Sequence, residues 1–173
     1  MSMKRAIYVL MMVAGLALTS CEKDEVGGTA TQSLAGEWVV TVDAVDANGE
    51  TVIEDPFGSG HIMMNTYNTA ANTATEMWVD DLTNFWEFKV KVKADTQTLT
   101  FATEGAAQNA VYDCKVTIDG GKVLLKAATT PSGMPADSIV FYVGFDDDDN
   151  PAAYGYAKYK VSGYRYTGLA ADN

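Results

Sequence analysis

Eight consecutive residues, Trp86-Glu87-Phe88-Lys89-Val90-Lys91-Val92-Lys93, alternate apolar and charged side chains without a break. Successive side chains on a β-strand point to opposite faces, so such a run fits a strand with one face buried and the other in water, the habit of antiparallel sheets. The same period of two, enriched in β-branched and aromatic residues, continues from Leu34 onward, and Gly, Asn, Asp or Pro interrupt it roughly every ten residues. It marks nine candidate strands: 37–43, 61–67, 75–79, 85–93, 98–103, 110–118, 122–127, 138–145 and 158–167. Asp119-Gly120-Gly121 separates two of them with the residues a tight hairpin turn needs, so 110–118 and 122–127 are expected to pair. No long amphipathic helix is legible, although 69–75 can hold a short turn, and no repeat period appears. A meander of this kind either packs as two sheets or closes on itself. Closure removes exposed edges, and about eight strands leave an interior wide enough for side chains or one small ligand. An all-β, antiparallel, up-and-down barrel of eight to nine strands is the expected fold, with a β-sandwich as the alternative.

The 173 residues, 47% apolar and 20% charged, suit one globular domain, which we place at 34–173. Ahead of it, Lys4 and Arg5 precede an uncharged run from Ala6 to Leu18, the pattern of a secretory signal over 1–20. That run is short for a membrane span and ends in Leu18-Thr19-Ser20-Cys21, which resembles a bacterial lipobox. Cys21 would then be acylated and become the first residue of the mature chain. Residues 21–33 are polar and Gly/Thr-rich, the composition of a flexible tether. Glu22-Lys23-Asp24-Glu25 resembles the acidic export signal of Bacteroidota surface lipoproteins, which implies an outer-membrane anchor facing the cell exterior.

Loss of 1–20 leaves 10 basic against 23 acidic residues, a net charge of −13, and so no material for an extended phosphate-binding face. Nucleic acid is excluded as a partner. One histidine, His61, and two cysteines, Cys21 and Cys114, cannot build a Cys/His zinc centre, and no cofactor is expected. Cys114 alternates with Tyr112 and Val116 and so belongs to the core side. Phe57-Gly58-Ser59-Gly60-His61 departs from the Gly-X-Ser-X-Gly nucleophile elbow, and no catalytic residue is assigned. Asp146-Asp147-Asp148-Asp149-Asn150 invites a calcium loop, but Pro151 and Ala157 stand where an EF-hand needs Gly and Glu; the alternative is an acidic hairpin tip. No metal ligand is assigned.

Gly36-Glu37-Trp38 opens the first strand, and Arg165, the only arginine of the mature chain, lies in the last. The pair resembles the calycin arrangement, in which a basic side chain from the closing strand covers a tryptophan on the first. Thr66-Tyr67-Asn68-Thr69-Ala70-Ala71-Asn72-Thr73, Met77-Trp78-Val79-Asp80-Asp81, Asn84-Phe85-Trp86 and Gly163-Tyr164-Arg165 further resemble the family of lipid-binding putative hydrolases, small lipoproteins of Bacteroidota. That resemblance implies a calycin-like barrel and an apolar ligand. Its hydrolase half finds no supporting residue. Aromatic residues exceed what one plugging tryptophan needs; Trp78, Trp86, Phe88, Phe101, Tyr112 and Tyr142 are the candidate lining of a ligand site, and core packing is the competing use. The leading reading is a lipoprotein that binds an apolar small molecule or lipid. A surface module docking to protein or glycan is the alternative, motivated by the apolar character of both faces of 139–145, and a weak hydrolase is third.

Overall fold

The computed structural model describes residues 27–172. The signal segment and Cys21 lie outside the described residues. Ten antiparallel strands form one sheet: β1 Gly36–Val45, β2 Thr51–Ile53, β3 Ile62–Asn68, β4 Glu76–Asp80, β5 Lys89–Asp95, β6 Thr100–Ala102, β7 Ala107–Gln108, β8 Lys115–Thr129, β9 Pro135–Phe145 and β10 Lys158–Arg165. All but β2 and β7 follow one another round a ring, and β10 pairs back onto β1 from Trp38↔Arg165 to Val45↔Lys158. The ring is therefore a closed eight-stranded barrel, not a sandwich. β2 and β7 are short outer strands paired to β1 and β8. One short helix, α1 Asn150–Tyr154, lies between β9 and β10.

Strand parity decides what fills the barrel. Trp38, Val40, Val42 and Ala44 of β1 point inward and are at most 2% exposed. They meet Met64, Val79, Val90, Ile118, Phe141 and Val161 from the other walls, all buried. Each such side chain contributes roughly 1.5–3 kcal/mol by leaving water, and together they occupy the lower and middle interior. On β5 the alternation works as its sequence predicts: Val90 and Val92 face in, while Lys91 and Lys93 stay exposed.

Three sequence expectations need correction. The first is the hairpin at Asp119-Gly120-Gly121, because β8 runs straight through it. β9 pairs with β8 on both sides, Ile118↔Val143 before and Lys122↔Val140 after, and the extra residues form a bulge. Gly120 takes φ 61°, and a Cβ on Gly121 would collide with the backbone and ring of Phe101. A turn and a bulge ask for the same local residues, and here packing against Phe101 chooses the bulge. The second concerns 85–93, whose strand begins only at Lys89, since Glu87 sits at φ 54° and breaks the extended run. Residues 110–114, read as strand, are a loop leading into β8.

The strand ends define two poles. At the base, the Arg165 guanidinium lies 4.3 Å from the centre of the Trp38 ring. Its Nε donates to Asp137 at 3.2 Å and its Nη1 to the Ala35 carbonyl. Trp38 is fully buried; its Nε1 donates to Thr66 Oγ1 at 2.8 Å, and that hydroxyl donates onward to the Leu34 carbonyl at 2.7 Å. Gly36 lies inside β1, and its role is room: a Cβ there would overlap the guanidinium. The calycin signature is thus a closed, hydrogen-bonded plug.

Candidate functional site

The opposite pole, the mouth, is closed by a loop rather than by a strand-borne pair. Asp81, immediately after β4, is fully buried among the connecting residues 81–88. Its carboxylate accepts backbone N–H groups from Thr83 at 2.9 Å, Phe85 at 3.1 Å, Trp86 at 2.7 Å and Phe88 at 2.9 Å. Leu82, Thr83 and Glu87 adopt positive φ around it. Such a geometry costs energy in non-glycine residues and persists only where surrounding bonds over-determine it, which four donors on one carboxylate do. The consequence is that Phe85 and Trp86 swing across the mouth.

There they join residues from three other elements. Trp86 stacks on Phe145 of β9, centroids 4.8 Å apart and planes 12° off parallel. Phe85 meets Tyr159 of β10 edge-on at 5.2 Å and Phe57 at 5.3 Å. Phe88 lies buried beneath, 5.5 Å from Phe145. Tyr159 is wholly buried, and its hydroxyl donates to Asp148 at 2.7 Å while bonding Tyr156 at 2.6 Å. Burial first, and those two bonds second, push its phenol well above the ordinary tyrosine range, so it stays protonated.

The acidic run after β9 is stitched into the same pole. Asp147 accepts from Tyr112 at 2.7 Å and from the Trp86 indole at 3.3 Å, and Asp146 accepts the Lys115 N–H at 2.7 Å. Ligand atoms of Cys114, Asp146 and Asp147 fall within 4.8 Å of one another. They are already engaged, with the Cys114 sulfur taking an Asn109 N–H at 3.4 Å, so the cluster serves as a set of acceptors for the rim.

Beside the aromatic layer an open cleft of about 290 Å³ runs between the β2–β3 connection and α1, lined by Ile53, Pro56, Phe57, Asn150, Tyr154 and Tyr156. Small-molecule sites begin at roughly this size and are lined mainly by apolar and aromatic groups with a few polar ones. Phe57 is 43% exposed and Tyr154 66% exposed, so both leave apolar surface open at the cleft they line.

Of the six aromatics proposed from sequence, Trp86, Phe88 and Tyr112 gather at the mouth. Phe101 lies lower in the interior against Phe141, 5.7 Å away. Trp78 and Tyr142 are on the outer wall, roofed by Lys89 at 5.2 Å and Lys158 at 4.4 Å. The structure does not bring the six to one place. Phe57, Phe85, Phe145 and Tyr154, which sequence parity did not single out, complete the mouth. His61 is exposed on the outer wall in a depression shared with Thr41, Ser138 and Ser162. Among the described residues no hydrogen bond joins it to a serine or cysteine. Phe141 faces inward, while Tyr142 on the outer side of β9 is half-buried beneath Lys158.

A closed eight-stranded barrel with a Trp–Arg plug at one pole and an aromatic mouth at the other defines a calycin-like barrel protein. More particularly, the family model described as lipid-binding putative hydrolase matches residues 23–170, and the chain belongs to that family. No curated protein matches it.

Proposed function

We propose that this chain is a lipoprotein acylated at Cys21 that takes an apolar small molecule or lipid at the barrel mouth, on the cleft beside Phe57, Tyr154 and Tyr156. The observation that carries the reading is the aromatic layer: five rings cap a barrel that its own side chains already fill, and the adjoining cleft stays open. A ligand therefore docks at the mouth rather than deep in the barrel. Membership of a family described as lipid-binding supports the same chemistry.

An anchor at Cys21 would orient the molecule. Residue 30 is tied to the base through Ala30 N–H to Asn72 at 2.9 Å, and the six links from Cys21 to Gly27 span at most roughly 20 Å. The base turns 69–75, 96–99 and 130–134 carry no charged residue. The base would face the outer membrane and the mouth would look away from it, toward the cell exterior. Native mass spectrometry of the Cys21→Ser mature chain without detergent tests the binding: one sterol or fatty alcohol per chain is expected, and no uptake of either would overturn it. Incorporation of an alkyne-tagged fatty acid into wild type but not Cys21→Ser, with protease accessibility on intact cells, tests the anchor and its side.

A further inference from the structure

The mouth and the rest of the surface differ in charge. The five connections at the mouth end, 46–50, 54–61, 81–88, 109–114 and 146–157, contain eleven acidic residues and no lysine or arginine. The nearest lysines belong to the outer wall. Lys89 lies over Tyr67 and Trp78, Lys158 is held by both oxygens of Asp119 at 3.0 Å, and Lys115 neighbours the inward Val116 and so faces out. Around the cleft itself, Glu54 and Asp55 flank Pro56 and Phe57 on one side, and Asp148 and Asp149 precede Asn150 on the other. The Asp55 carboxylate is used by Ser59 and Gly60, and that of Asp148 by Tyr159 and Asn150. Those of Glu54 and Asp149 accept no hydrogen bond among the described residues; both side chains are exposed, and Asp149 leaves its helix uncapped. These two unpaired charges stand one residue from the cleft lining, next to Ile53 and Asn150 in the chain.

From this we infer that the mouth selects apolar ligands by the charge of the head group, taking a cationic head best, an uncharged hydroxyl next, and rejecting carboxylates and phosphates. The inference rests on the mouth being the binding site. An ammonium entering the cleft meets the rings of Phe57 and Tyr154, where a cation gains from the ring quadrupole, within the negative field of the mouth connections that carry Glu54 and Asp149. An anionic head would enter a field of uniformly negative sign with no donor side chain of opposite charge to meet it. The apolar part packs against Ile53 and Pro56 in every case, so chain burial sets overall affinity and the rim sets the choice.

Three probes of one chain length separate these terms: dodecylammonium, dodecanol and dodecanoate, each below its micelle concentration, titrated calorimetrically into the Cys21→Ser mature chain. The expected order is dodecylammonium, dodecanol, dodecanoate, with roughly tenfold or more between first and last at low salt and a smaller gap at high salt, where exposed charges are screened. The double variant Glu54→Gln/Asp149→Asn should shrink that gap by about threefold or more and weaken its dependence on salt, since it alters charge and little shape. Dodecanoate binding as tightly as dodecanol, or a gap indifferent to salt, overturns the charge selection while leaving the mouth as a site. Binding of none of the three overturns the mouth reading, and the selection with it.

Discussion

At the base, one arginine and one tryptophan close the barrel with strand-borne side chains, each hydrogen bond satisfied and the tryptophan wholly buried. At the mouth, closure is delegated to a loop held in strained conformations by a single buried carboxylate, and its aromatic layer is left partly in water. The base turns are uncharged; the mouth connections are acidic throughout. The base can be read as stability, because the polar groups of its Trp38–Arg165 plug have internal partners. The mouth holds exposed rings and unbonded carboxylates, surface that folding alone does not require. Substitutions at the two poles should therefore separate stability from binding.

The largest effect should come from Asp81→Ala. Four backbone N–H groups would lose their acceptor at once, at a cost of about 3–5 kcal/mol in denaturant melts, and ligand uptake should disappear because Phe85 and Trp86 are released. At the other pole, Arg165→Ala removes the stacking contact and the bonds to Ala35 and Asp137, and should cost about 2–4 kcal/mol with ligand affinity unchanged. Arg165→Lys should recover only part of that, since an ammonium cannot reproduce the planar fork. A change within roughly 0.5 kcal/mol for Arg165→Ala would mean the plug is ornamental.

Trp86→Ala should invert the pattern. The ring is half-buried and stacked on one face, so a loss of about 1–2 kcal/mol is expected, while affinity for a fatty alcohol should fall roughly tenfold or more in calorimetry. The smallest effect belongs to the base. The Asp172 carboxylate takes hydrogen bonds from Thr167 at 2.6 Å and Ser132 at 2.8 Å, which lower its pKa to about 2. Because the folded value lies below the unfolded one, its contribution is complete above about pH 4 and lost as pH falls toward 2. Acid melts of Asp172→Asn should accordingly lack the part of the wild-type acid sensitivity that falls in that window, with the mouth's ligand affinity unaltered.

Much of the barrel was legible because its signals are local or paired. The alternation through Lys89–Lys93 set one wall, and Gly36, Trp38 and Arg165 announced closure from opposite ends of the domain. What the sequence hid has physical reasons. Asp119-Gly120-Gly121 satisfies a turn and a bulge equally, and only contact with Phe101 separates them. Asp80-Asp81 ends β4 and opens a loop, but nothing local shows that Asp81 is buried and organises seven following residues. Of the six aromatics picked from the sequence, Trp86, Phe88 and Tyr112 lie at the mouth. Phe57, Phe85 and Tyr154 lie in loops and a short helix, where period two says nothing about direction, whereas Trp78 and Tyr142 sit on strands where they alternate with the inward Met77, Val79, Phe141 and Val143 and so face out.

The central claim is that the mouth binds and the base does not. Photolabelling of the Cys21→Ser mature chain with a long-chain alcohol bearing a diazirine, followed by peptide mapping, tests it directly. The account predicts label concentrated in 53–57 and 150–156, lost on competition with dodecanol. Label instead on the base segments 124–134 or 165–169, where Leu125, Met134 and Leu169 are exposed, would contradict it.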